Sequence, residues 1–244
     1  MIELIDKNGF VFAFLLVGLI MFISFQVSKR VLFGRIPGVA VAILIGLALA
    51  TLGGKKGISD IPLFAGMAFL GGSMLRDFTV VATAMGADLS KIKSAGLAGV
   101  IALVAGVFVS FFLGVLVAWA LGYRDAVELT TIGAGACTYI VGPVTGTALG
   151  ASTDIIAISV AIGLVKTVVT TIATPLIAQK IGLTNANSAL VFGGLLGTSS
   201  GVTAGLAATD PKLVPYGALT ATFYTGLGCL LCPSVFYLVL QTFF

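Results

Sequence analysis

The sequence predicts an all-α integral membrane protein, and three observations carry that prediction. Of its 244 residues, 59% are hydrophobic and only 9% are charged, whereas a soluble domain needs about 25% charged residues to cover its surface. The mean hydropathy is +1.18. Apolar runs near the span length of about 20 residues recur along the whole chain, so residues 1–244 read as one polytopic transmembrane domain.

About eight hydrophobic segments follow from these runs: 9–28, 36–53, 61–86, 97–121, 126–150, 153–180, 187–208 and 217–242. The first follows an acidic start, "MIELIDKNG", with no small-residue cleavage site behind it, so it reads as a retained span and not a signal peptide. Short basic turns, "SKRVLFGR" (28–35) and "GGKKG" (53–57), bound the second. The fourth, sixth and eighth read as ordinary spans, like the first two. The third, fifth and seventh carry glycines and hydroxyls through their middles, which marks them as broken or re-entrant.

The net charge of +4 does not point to nucleic acid, because the basic residues are scattered through interhelical turns without clustered aromatics. Cys137, Cys229 and Cys232 lie in apolar surroundings. The C-x-x-C of "GCLLCP" lacks a second ligand pair, and the chain has no histidine, so buried thiols are the reading. Eight full crossings would place Lys29, Arg30, Arg35, Lys91, Lys93 and Lys212 on one side, and Lys55, Lys56, Arg124 and Lys180 on the other. That charge bias is too small to orient the chain, and re-entrant segments change it.

An offset of 122 residues lays 71–91 over 193–213, with Gly71/Gly193, Gly72/Gly194, Val80/Val202, Ala82/Ala204 and Asp88/Asp210 coinciding. A two-fold repeat with halves 1–122 and 123–244 and coincidence in a Gly/Ala/Val-rich chain both account for this. An inverted repeat needs an odd number of crossings per half, which one re-entrant segment supplies.

Gly193, Gly197, Gly201 and Gly205 recur every fourth residue, as do Gly142, Gly146 and Gly150. On unbroken helices they form smooth stripes for close helix packing. Packing leaves the hydroxyls and the proline unexplained. "TSSG" (198–201) with Thr203, and "TYIVGPVTGT" (138–147), put polar groups at mid-span depth, with Pro143 and Gly197/Gly201 as break points. A broken helix exposes amide N–H groups that bind carboxylates, while carbonyls and hydroxyls hold Na⁺.

The candidate substrate-binding residues are therefore Thr138, Gly142, Thr145, Gly146, Thr198, Ser199, Ser200 and Gly201, with Arg76 and Lys166 as the cations inside apolar segments. Candidate Na⁺ ligands are Thr203, Asp210 and Asp154; the bland alternative for both aspartates is a helix cap, with Pro211 following Asp210. No P-loop, nucleophile elbow or facing acidic pair is present, and no enzyme activity or resident cofactor is expected.

The stretches "GAGACTYIVGPVTGTALGASTDIIAIS" (133–159) and "SALVFGGLLGTSSGVTAGLAATDPKLVPYGALTATFYTGLGCLLCPS" (188–234) resemble the larger membrane subunit of the bacterial malonate carrier, the MadM family. "GRIPGVAVAILIGLALATLGG" (34–54) agrees in character. The resemblance implies malonate uptake across the bacterial cytoplasmic membrane, together with a smaller membrane subunit (MadL-like). It also implies a coupling ion, Na⁺ or H⁺. A scaffold subunit, a carrier for another small carboxylate and an ion channel are the competing readings.

Overall fold

The computed structural model describes residues 9–34, 36–54, 60, 64–66 and 96–244. Every regular element in them is helical, so the chain is the all-α membrane protein its composition predicts. It divides into two compact units, residues 1–82 and 83–244.

In the first unit, α1 (Gly9–Arg30) runs for 22 residues, most of them apolar, and closes on Lys29 and Arg30. The Ser28 hydroxyl donates to Ile36 O at 2.5 Å, tying the turn into α2 (Gly38–Ala50). Gly38 sits where an added methyl would lie 2.7 Å from the Phe25 ring. Most of the third segment lies outside the described residues, and with it Arg76, Asp88 and the first copy of the 71–91/193–213 alignment.

The second unit contains α3 (Gly96–Ala120), α4 (Ala126–Cys137), α5 (Val141–Leu149), α6 (Thr153–Ile177), α7 (Ala186–Leu196), α8 (Ser199–Thr209) and α9 (Val214–Leu231). A short 3₁₀ turn, Pro211–Leu213, leads into α9. A π-turn, Cys232–Phe236, carries α9 on into α10 (Tyr237–Gln241). The π-turn follows from Pro233, which has no N–H to give the ladder. Three stretches here are long and apolar enough to cross a membrane: Gly96–Ala120, Thr153–Ile177 and Pro211–Gln241.

The fifth and seventh hydrophobic segments are broken, and each folds back as a hairpin of half-length helices. In the first hairpin, a methyl on Gly142 would lie 3.0 Å from Gly135 Cα, and one on Gly146 would lie 2.8 Å from Thr131 Cγ2. This antiparallel register returns α5 along α4. In the second, Thr198 pairs with Thr167 at 2.6 Å, and Gly205 faces Thr174, so α8 runs parallel to α6. On the other arm, Thr220 donates to Leu190 O at 2.7 Å and Gly197 meets the Tyr224 ring, so α7 runs parallel to α9. The Ser199 hydroxyl reaches Ala221 O at 3.4 Å and Leu206 meets Gly217, which makes α8 antiparallel to α9.

These registers show that the hairpins enter from opposite ends of α6. The first packs beside its beginning, with Gly146 against Ile156, and the second beside its end, with Gly205 against Thr174. Their tips meet α6 within one turn of each other, Tyr139 at Gly163 and Thr198 at Thr167. With 25 residues, α6 is about 38 Å long, and this turn is its middle.

The break points differ in detail from those expected. Pro143 lies in the first turn of α5, where its missing N–H is no loss, and the chain opens just before it, at Thr138–Ile140. The other opening is Gly197–Thr198, and Ser199–Gly201 form the first turn of α8. The expected single stripe is therefore split. Gly193 and Gly197 approach α9, while Gly201 and Gly205 approach α6.

An apolar core ties α3, α4, α9 and the π-turn together around buried Phe111, Leu129, Tyr224 and Phe236. The Phe111 and Phe236 rings lie 4.6 Å apart.

Candidate functional site

Most hydroxyls at span depth bond their own helix. Thr130, Thr131, Thr167, Thr171 and Thr174 each donate to the carbonyl four residues back, which satisfies them without a ligand. Thr203 does the same, donating to Ser199 O at 2.8 Å or Ser200 O at 3.1 Å. Two hydroxyls among the described residues are buried without a partner, Thr145 Oγ1 and Ser200 Oγ. Leaving a polar atom so costs about 1–3 kcal/mol, so these two stand out.

At the first tip, Thr138 caps the half-helix that follows. Its backbone is extended, and its hydroxyl accepts from Ile140 N at 3.2 Å and Val141 N at 3.1 Å. The second tip is built differently. Gly197 takes a left-handed φ of 68°, and Thr198 starts α8 without a side-chain cap. Its hydroxyl turns sideways to Thr167. The amides of Ser199, Ser200 and Gly201 at this end therefore lack a side-chain acceptor, beside the unpartnered Ser200 hydroxyl.

Lys166 lies between the tips. Its ammonium donates to Cys137 O at 2.9 Å and Ala136 O at 3.0 Å, the last carbonyls of α4. Ser110 Oγ of α3 accepts at 3.0 Å, and the Tyr224 hydroxyl of α9 lies at 3.4 Å. A cation at the negative end of a helix is the favourable placement. Tyr224 passes the chain of contacts on, donating to Gly106 O at 3.1 Å and laying its ring against Gly197.

The structure thus brings Thr138, Lys166, Thr198, Ser199, Ser200 and Gly201 to the two tips and the turn of α6 between them. Gly142 and Gly146 serve close packing, against Ser159 and Gly135, and against Ile156 and Thr131. Asp210 caps the helix start at Pro211, accepting from Lys212 N at 3.0 Å. Asp154 is exposed in the first turn of α6, whose cap is Ser152. Arg76 lies outside the described residues. Sequence reasoning missed Ser110 and Tyr224, and it did not foresee the carbonyls that hold Lys166. A lone serine in "VFVSFFLG" and a tyrosine in "TATFYTG" were their only traces.

Two opposed half-helix hairpins meeting at the middle of α6, with open amides, hydroxyls and a half-buried cation, define a multi-pass membrane protein with a polar centre. Such broken helices are where membrane carriers place solute and ion sites. The chain belongs to the MadM family, described as the malonate/sodium symporter MadM subunit, whose match spans residues 1–244. No curated protein and no solved structure matches the chain.

Proposed function

We propose that this protein is the malonate-carrying membrane subunit of a Na⁺-coupled symporter, importing the dianion across the bacterial cytoplasmic membrane together with a smaller MadL-like subunit. The reading draws its substrate and ion from the family description. The observation that carries it to particular residues is the second tip. There the uncapped amides of Ser199–Gly201 and the orphan Ser200 hydroxyl point to a missing acceptor.

A carboxylate supplies that acceptor, since a helix N-terminus offers donors and a positive dipole end together. Thr198 and Ser199 border this anion pocket. Lys166 adds positive charge from its position beside Thr167, offsetting part of the dianion in a medium where an unpaired charge is costly. Na⁺ offsets the remainder and drives uptake. Carbonyl and hydroxyl oxygens, the donors that broken helices offer a monovalent cation, are its ligands in this reading.

The deciding experiment is counterflow of labelled malonate in proteoliposomes holding this chain with and without the smaller subunit, with Na⁺ and proton gradients varied separately. Accumulation that requires Na⁺ is expected. Absence of malonate exchange in both formats would sink the reading. The triple variant T198A/S199A/S200A should lose malonate affinity while the complex stays assembled; loss of assembly alone would favour a scaffold role.

A further inference from the structure

The oxygens around Lys166 have the character of a cation site. The ammonium is held by two backbone carbonyls (Ala136, Cys137) and two hydroxyls (Ser110, Tyr224) from three different helices, all within 3.4 Å. None is a carboxylate. Neutral carbonyl and hydroxyl oxygens at a half-helix C-terminus are the donors with which membrane proteins coordinate alkali cations. Lys166 lines, together with Ser110 and Ala136 of the cage, an apolar groove of about 540 Å³ between α3, α4 and α6, beside Val165 and Val169.

We propose that this cage is a sodium site in which the tethered ammonium of Lys166 takes the place of the ion. The protein then carries its own monovalent charge where a free Na⁺ would otherwise have to bind, neutralising the negative end of α4 and holding the tip against α3 and α9. Removal of the side chain back to Cβ leaves the oxygens without their cation, in a space continuous with the groove. The inference does not rest on which solute the protein carries.

The test is thermal melting of the purified full chain, with its smaller subunit if one copurifies, in NaCl, KCl and choline chloride at equal ionic strength and without substrate. K166A should melt below wild type in choline. In Na⁺ it should recover by about 4 °C at roughly tenfold the dissociation constant, beyond any Na⁺ effect on wild type. K166M, whose apolar stem refills the space, should gain no more from Na⁺ than wild type. Equal recovery in K⁺ or choline, an equal Na⁺ effect on wild type and K166A, or an equal gain in K166M would each overturn the proposal. So would K166A failing to fold in Na⁺ while K166M folds, because the ion would then not replace the ammonium. If neither folds, K166S, whose short side chain also empties the cage, is the deciding comparison, and no Na⁺-specific gain there overturns it too.

Discussion

The Lys166 ammonium lies 3.4 Å from the Tyr224 hydroxyl and 5.2 Å from the centre of its ring, and the same ring packs on Gly197. One tyrosine on α9 therefore touches the cation that closes the first hairpin and the glycine at which the second one turns. Y224F keeps the ring and removes the hydroxyl shared by Lys166 and Gly106 O. It should destabilise the protein by about 1–2 kcal/mol, read as a lower melting temperature, while Y224A should cost more by also emptying the space at Gly197.

Gly197 is required for two independent reasons. Its φ of 68° is left-handed, which costs a side-chain-bearing residue about 1–2 kcal/mol, and an added methyl would run into the Tyr224 ring. G163A is excluded on backbone grounds, since its methyl would meet Tyr139 N and Cα. Both variants should give a sharply reduced yield of folded protein. Gly226 has nothing within 4 Å of an added methyl, so G226A should be neutral or stabilising by up to about 1 kcal/mol. Loss of folded protein in G226A would contradict the packing described.

Thr138 and Thr198 occupy matching places at the two tips but do different work. T138V removes the acceptor for two amides and should cost about 1 kcal/mol, with T138S restoring most of it. T198V breaks the 2.6 Å bond to Thr167 and should lower stability by a similar amount, measured by melting. Equal behaviour of T198V and T198S would argue against that bond.

The hairpins fix which loops share a membrane face. Single cysteines introduced at Arg124 and Ser152 should be labelled by an impermeant reagent from the same side, and those at Asn185 and Lys212 from the opposite side. Full crossings would split each pair. Lys180 and Lys212 stand at the α6 C-terminal end and Arg124 at the other, a difference too small to orient the chain by charge. Labelling of the Lys212→Cys variant in intact cells would put the α6 C-terminal end outside, and its protection there would put that end in the cytoplasm.

Much of the fold was legible because lipid imposes long apolar runs. The sequence boundaries at 9–28, 97–121 and 153–180 fall close to α1, α3 and α6. The openings near 138 and 198 showed as hydroxyls and glycines where a continuous span would carry bulk. Whether such a segment crosses or returns was not legible, since a half-helix has the same composition in either direction. The answer lies in pairings such as Gly135 with Gly142, which an unbroken stripe would equally suggest.

Lys166 stood out in the sequence as a charge among apolar residues, but its partners did not. Ser110, Ala136 and Tyr224 are 56, 30 and 58 residues away, and a backbone carbonyl leaves no mark in the sequence. Asp154 illustrates the opposite error: it preceded an apolar run as a cap should, yet Ser152 holds the cap.

The half-helices also dictate an order of assembly. At 12, 9, 11 and 11 residues, α4, α5, α7 and α8 are each too short to partition across the bilayer as independent spans, which takes about 20 residues. The translocon can release Gly96–Ala120, Thr153–Ile177 and Pro211–Gln241 one by one. The hairpins must wait at the lipid surface until those walls exist. Biogenesis therefore ends with two opposite insertions, and a variant that weakens α6 should leave both hairpins accessible to proteases.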